Sequence, residues 1–553
     1  MNFLICIRSY WYFKNTAPLL LEALRRGNRV VLMVTSKDVS GLTERDRIAA
    51  EDVEIAIGRL KAEYPLFSVL RAPEREDWWL PFVNSVRRAL DLVHLMNARF
   101  DTKPRLRKRA IDRAPRTMSE YLMRVKATGD LDTLASRLRR LDDRIPPERQ
   151  MVRLLREAAP DVIMVTPLID LGCNQNEILR AARFLRIPTL FAVHSWDNLS
   201  MKSRIRVRPT RIVVWNALQR KEAVEYHGIP AEHVAISGAP HFDDWHNNRP
   251  KRTRARFLMD AGLDPDAPLI TYLCSTVFDF QRLREQDFVK RWITALRQSG
   301  DKLLERANVL VRVHPQRVHM AAEFGCPGDP RVVVWPKNTT APVGTRAKDD
   351  YLSSLTFADA VVGINTTGMV EAAFLERPVL TILGTEFADS QDGTFHFAYL
   401  TNNGKGMIRT AASMSEHLQQ LARAVGGDQP FTTAERDYVR MFVRSQGDIS
   451  STSRLLEVLE STALCETGPQ ARLGTNLSLG DLSTLGFIAR LQAVDLGRRG
   501  LSHVHRKAEK LLRFTWRFAR SSARMIIIGA VALIVHPSSD RAGQRSQNST
   551  IDQ

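Results

Sequence analysis

Short apolar runs separated by single helical patterns occur in two series along this chain, and no other feature restricts its fold so strongly. The first series is Asn2 to Arg8 (NFLICIR), Arg29 to Thr35, Asp161 to Pro167 (DVIMVTP), Ile187 to His194 (IPTLFAVH), Arg211 to Asn216 and His233 to Pro240. The second is Ala267 to Ser275, Ala307 to His314, Arg331 to Pro336, Ala358 to Ile364 and Pro378 to Leu383. These runs lack the in-and-out alternation of a sheet open to water on one side, so each is expected in a parallel sheet covered by helices on both faces. The fold class that follows is α/β, with two halves in series and a crevice between them as the default ligand site.

A chain of 553 residues exceeds what one core normally holds. Residues 1–245 are expected to form the first half, including a helical insert over 44–157. Within that insert, helices are predicted over Asp46 to Tyr64, Trp78 to Phe100, Arg116 to Ala127 and Leu131 to Arg140. Residues 246–430 form the second half and 431–466 a helical extension. Residues 467–553 read as a linker, a basic amphipathic segment and a polar tail too poor in apolar residues to pack.

Several functions are excluded early. The loop after the first strand carries Tyr10, Trp11 and Tyr12 where a dinucleotide site needs a Gly-x-Gly-x-x-Gly turn, so no bound NAD or FAD is expected. Five scattered Cys have no C-x-x-C spacing for a zinc site or disulfide framework. The loop GTEFADSQDGTFHF offers Asp389, Asp392 and His396 as further ligand candidates, but no H-E-x-x-H or calcium-loop pattern accompanies them, and no metal is expected.

A net charge of +19 favours phosphate-rich partners or anionic lipid. The basic stretch Lys103 to Arg116 reads either as a solvated face or as contact with a membrane surface or anionic acceptor. Without a recognition element or stacking pattern, no nucleic-acid partner is expected. The amino terminus lacks the basic segment of a signal peptide. Met525 to Val535 is too short to span a bilayer core of about 30 Å. With Leu511, Leu512, Phe514, Trp516 and Phe518 among cations, the segment before it reads as a helix lying in an anionic membrane interface. The expected location is cytoplasmic, peripheral at the inner face of the cell membrane.

Chemistry-bearing residues collect at strand ends. After the strand ending at Ile364, Asn365, Thr366 and Thr367 form a polar turn, and Gly368 admits a close approach before a helix. Free N–H groups there suit diphosphate oxygens, with Glu371 in reach of a ribose diol. The alternative is ordinary capping, with Thr367 as the cap. Arg312 and His314 end another strand and would share a face if pleating persists, placing cationic donors near a departing phosphate. His194 begins the loop His-Ser-Trp-Asp-Asn, in which His194 or Asp197 would remove a hydroxyl proton and Trp196 would provide an apolar platform. Ser275 and Thr276 offer hydroxyls and turn amides to phosphate.

At these four segments the chain resembles nucleotide-sugar glycosyltransferases of the two-Rossmann-domain (GT-B-like) class, and the related glycerol-phosphate transferases of teichoic-acid synthesis. The resemblance covers roughly Asn2 to Asn28 and Asp161 to Tyr399. It implies two Rossmann-like domains, with the nucleotide donor on the second and much of the acceptor surface on the first. Arg312 and His314 would then lie near the donor phosphates, Asn365, Thr366 and Thr367 beside them, and Glu371 by the ribose; Ser275 and Thr276 complete the expected donor set. His194 matches an acceptor-side catalytic histidine, with Asp197 and His314 the other catalytic candidates. Tyr10, Trp11, Trp196 and Asn198 are the expected acceptor contacts. Ser195 and Trp196 stand where glycerol-phosphate transferases commonly have Gly after the histidine. The expected function is transfer of a sugar from a nucleotide-diphosphate donor to a cell-surface polysaccharide or lipid-linked precursor, with no cofactor required. The alternatives are a CDP-glycerol or other polyol-phosphate transferase, a nucleotide-sugar epimerase, and a noncatalytic carbohydrate-binding or assembly protein.

Overall fold

A computed structural model describes residues 1–35, 44–77, 79–114, 116–169, 173–275, 285–336, 345–444 and 449–467. Thr276 and the expected membrane segment within 467–553, from 468 onward, lie outside the described residues.

Seven strands form the first sheet: β1 (Asn2–Ile7), β2 (Arg29–Val34), β3 (Phe67–Arg71), β4 (Val162–Thr166), β5 (Thr189–Ala192), β6 (Arg211–Val214) and β7 (Val234–Ile236). Six form the second: β8 (Leu269–Leu273), β9 (Asn308–Arg312), β10 (Val332–Val334), β11 (Ala360–Gly363), β12 (Val379–Ile382) and β13 (Arg409–Ala411). Their orders are β3-β2-β1-β4-β5-β6-β7 and β10-β9-β8-β11-β12-β13. Every pairing is parallel, as the unbroken apolar runs require. Strand order reverses between β1 and β4 in one sheet and between β8 and β11 in the other. Beyond the carboxyl ends of strands at such reversals the loops diverge, leaving a crevice in which α/β proteins bind ligands.

One edge of each sheet departs from expectation. β3 lies inside the stretch read as helical, and β13 was not anticipated. Both are short edge strands with half-exposed residues, so neither shows the continuous apolar run that marks the central strands. The basic stretch contains a helix, Pro104–Arg113, with proline at the first helical position where no N–H is needed.

The chain divides into two units, Met1–Arg75 with His94–Ala110 and Pro147–Ala471, and Glu76–Val93 with Ile111–Pro146 and Arg472–Gln553. The second unit, where described, is helical, and Val83 and Val86, Met118 and Leu122, and Leu138 and Leu141 are buried at helical spacing. The first unit holds both sheets. After the second sheet, helix Thr433–Val443 brings Val439, Phe442 and Val443 into a core shared by Trp196, Trp215 and Phe242 with Met369, Val370 and Phe397. Helix Ser451–Ala463 then returns to the first sheet, packing Leu455, Leu456 and Leu459 with Phe3, Ile5 and Leu190.

Within the first unit, the segment Ala98 to Lys103 touches residues that follow strands of both sheets. Phe100 packs against Tyr226 and Phe395, with ring centroids 6.3 and 5.6 Å away, and those two rings lie 5.7 Å from each other. The Lys103 ammonium donates to the Asp392 carbonyl and sits over the Phe395 ring. Among the described residues no helix is long and apolar enough to cross a membrane.

Candidate functional site

At the end of β5 the chain must turn out of a fully buried strand. Asn198 makes that turn: its carboxamide oxygen accepts from the backbone N–H of His194 at 3.1 Å and of Ser195 at 3.0 Å. With 4% exposure, Asn198 shapes the loop from within and offers little to an acceptor. His194 is half-buried at the surface of this turn. Its Nε2 lies 3.3 Å from Asn15 Nδ2, and its ring meets Tyr12 edge-on at 4.5 Å. Residues following β1 therefore frame the histidine. Trp11 of that segment carries Lys14 over its ring at 5.0 Å, whereas Tyr10 is partly buried and senses Glu54 and Arg71.

Across from this loop, Thr366 is the N-cap residue of the helix Thr367–Phe374, and its side chain makes no capping hydrogen bond. Capping by Thr367 is therefore not what the structure contains. The Thr367 hydroxyl accepts instead from the indole Nε1–H of Trp196 at 3.2 Å. Trp196, expected as an open platform, is 2% exposed because it belongs to the core shared by the two sheets, so it braces the site from behind. Gly368 is needed here: a Cβ at this position would stand 2.9 Å from both Leu273 Cδ1 and Tyr351 Oη. Asn365 is also buried, and its amide nitrogen donates to the Ser390 carbonyl.

Glu371 accepts the Tyr351 hydroxyl proton bond. Burial raises the Glu371 carboxyl pKa, opposed by Lys14, the Tyr351 hydroxyl and Arg312. Lys14 thus reaches from the helix after β1 toward a carboxylate of the second sheet's helix. Arg312, the last residue of β9, lies 4.7 Å from the Tyr351 ring centroid and donates to Ser354 Oγ at 3.2 Å. Burial lowers its pKa to about 10, against the favourable charges of Tyr351, Asp350 and Glu371. Because β9 ends at Arg312, pleating does not persist to His314, which lies half-buried where Pro315 opens a 3-10 turn. Arg312 and Glu371 are brought together; His314 is not joined to them by the strand face.

Ser275 does not present its amide to a ligand. The N–H donates to both carboxylate oxygens of Glu285, at 3.0 and 3.1 Å. Glu285 also pairs with Arg317 at 3.0 Å, and burial pushes its carboxyl up to about 8 despite those partners. An internal carboxylate therefore fills the turn that the sequence offers to phosphate.

Burial opposes ionisation of Asp197, but Lys202, His396 and a Ser195 hydrogen bond outweigh it and lower its pKa. His241, after β7, was not anticipated; its ring lies 5.1 Å from Trp215. Burial lowers its pKa well below the usual value, with His194 and Lys14 acting in the same direction. Asn15, Lys14, Tyr351 and His241 all sit on helices, and the sequence has no periodic signal that would single them out. Among the described residues no group of three or more His, Cys, Asp and Glu side chains is placed to hold a metal ion.

Two parallel α/β sheets, each with a strand-order reversal, and a carboxyl-terminal helix returning to the first, make a two-Rossmann-domain, GT-B-like arrangement. No family model and no curated protein matches the chain. Similar solved structures include the UDP-GlcNAc 2-epimerase from Neisseria meningitidis bound to UDP-GlcNAc, at 10% identity, TM-score 0.47, covering 83% of this chain and 100% of that one. The UDP-GlcNAc 2-epimerase from Methanocaldococcus jannaschii is similar at 12% identity, TM-score 0.47, with 83% and 100% covered. MurG from Acinetobacter baumannii is similar at 12% identity, TM-score 0.41, with 83% and 100% covered.

Proposed function

We propose that this chain is an enzyme acting on a nucleotide-diphosphate sugar, with the diphosphate at the entrance of helix Thr367–Phe374 and the sugar toward His194. The observation that carries the reading is the hydrogen bond from Trp196 to Thr367. It brings the loop after β5 against the turn after β11, so a ligand at the helix entrance lies within reach of groups from both sheets. The first-turn N–H groups, which Thr366 does not cap, attract anionic oxygens. Arg312 supplies positive charge behind them, and Glu371 supplies an acceptor for a diol.

Two reactions suit such a site. Epimerisation requires the donor alone, with one group removing a proton from a sugar carbon and another returning one. Transfer requires an acceptor hydroxyl to attack the anomeric carbon as the nucleoside diphosphate departs. His194 is the better placed base for transfer, since an imidazole is matched to neutral pH. Asp197, held in its charged form, is a weak base. In the transfer reading the acceptor is a cell-surface glycan or its lipid-linked precursor, and the basic aromatic segment from Arg506 onward holds the protein at an anionic membrane.

The test is a mass-resolved incubation with UDP-, GDP- and CDP-sugars in D2O, with and without membrane-derived acceptors. Deuterium in the sugar without an acceptor identifies epimerisation. Release of nucleotide with a mass gain on the acceptor identifies transfer. Absence of both binding and turnover with every donor would overturn the proposal.

A further inference from the structure

His396 stands at the end of the long loop after β12, with 7% exposure. Its Nε2 is 3.3 Å from Asn365 Nδ2. The same amide nitrogen donates to the Ser390 carbonyl, which fixes which end of the Asn365 carboxamide carries nitrogen. An amide nitrogen only donates, so His396 Nε2 accepts, and the ring proton of the neutral imidazole resides on Nδ1. Burial lowers the His396 pKa to about 4, in keeping with that neutral form; the charged groups acting on it are Asp197, Lys202 and Lys103.

Two further contacts concern the rest of the ring. The imidazole meets Trp196 edge-on, centroids 4.5 Å apart, and Trp196 in turn holds Thr367. Nδ1 is buried and has no hydrogen-bond partner among the described residues. Native interiors seldom leave a donor in that condition, and an apolar ring would fill the same space without the cost. The side chains of Asn365, His396, Trp196 and Thr367 thus form one chain of contacts that begins and ends on the polar turn before helix Thr367–Phe374.

We propose that His396 is a positioning residue: it holds Asn365 through Nε2 and Trp196 through its ring edge, and so sets the diphosphate-binding turn against the loop that carries His194. The ligand in this inference rests on the nucleotide-diphosphate reading of the site, whereas the tautomer and the hold on Asn365 do not. His396 acts through its neighbours and touches no reacting atom.

Three substitutions separate the contacts. His396→Gln can put an amide oxygen near the Nε2 position and accept from Asn365. His396→Asn reaches only to the Nδ1 position, and His396→Phe keeps the ring edge alone. Titration calorimetry with UDP, GDP and CDP should show the nucleotide that binds wild type weakened about tenfold by Asn and by Phe, and restored to within about threefold by Gln, the scale of one hydrogen bond to a charged ligand. Donor KM should follow the same order, with kcat changing less.

Equal weakening by Gln and Asn, or wild-type affinity in all three, would overturn the inference. Histidine-selective nitrogen NMR gives a readout independent of nucleotide. The resonance lost in His396→Gln should report Nδ1 protonated and Nε2 unprotonated from pH 6 to pH 8; the opposite tautomer would overturn the inference even if a nucleotide binds. If Nδ1 is found protonated and wild type binds none of the three nucleotides, the functional reading fails while the hold on Asn365 stands.

Discussion

The Tyr399 hydroxyl, in the helix that follows the β12 loop, donates to Glu222 Oε1 at 2.8 Å, in the helix that follows β6. Burial pushes the Glu222 carboxyl up to about 8, against the hydrogen bond from Tyr399 and with a further push from Asp197. The folded chain therefore retains a proton that the unfolded chain releases above its ordinary carboxylate pKa. Its contribution to stability is fully present below that ordinary value and is lost as pH rises toward about 8. Glu285, also raised to about 8, acts in the same window. Glu222→Gln keeps an acceptor for Tyr399 and removes one of the two ionisations. Its melting temperature should fall less than that of wild type between pH 5 and pH 8; an unchanged slope by calorimetry would refute the assignment.

Trp196→Phe keeps most of the buried ring and removes the donor to Thr367. It should cost about 1 kcal/mol, the usual net worth of one hydrogen bond. Thr367→Val should cost a similar amount, and the double variant less than the sum, because both remove the same bond. Denaturant unfolding of the four proteins measures this, and strict additivity would show that the bond is not formed.

Asn198→Ala leaves two backbone N–H groups of the His194 turn without their acceptor. A loss of about 2 kcal/mol is expected, together with a fall in turnover as His194 loses its fixed position. Full activity at reduced stability would mean that the His194 turn has no part in the reaction.

Gly368→Ala tests the close approach at the helix entrance. The added methyl would displace Tyr351 or Leu273, costing about 1–3 kcal/mol as overpacking does, and it should weaken nucleotide binding by disturbing the Tyr351–Glu371 pair. Unaltered melting temperature and binding would show that the contact relaxes freely.

His194→Ala should reduce transfer about 10²- to 10⁴-fold if the imidazole is the general base, with nucleotide affinity little changed. Asp197→Ala is the comparison: a larger loss there, with His194→Ala active across pH, would transfer the role to the carboxylate.

The central strands were legible because burial on both faces demands continuous apolar residues, and β1, β4, β5, β8 and β11 have them. Edge strands carry a weaker demand: β7 and β10 still show apolar runs, whereas β3 and β13, with their half-exposed residues, do not. Of the residues just after strands, Trp196 and Thr367 join the loops of the two sheets, while His194 and Asn365 bond within their own halves. Their partners were not legible. Asn15, Tyr351 and Glu285 are ordinary helix residues until packing brings them beside His194, Glu371 and Ser275. Trp196 shows the converse: a sequence gives the ring but not its surroundings, and here a shared core encloses it.

Phe100 packs against both Tyr226 and Phe395, which also touch each other, and makes the segment from Ala98 to Lys103 a clamp over the place where the two halves meet. An outgrowth of the first half thereby becomes a mechanical part of both. Grafting either half onto a foreign counterpart would leave the clamp without one of its two rings, so the two halves and this short segment form a single exchangeable part.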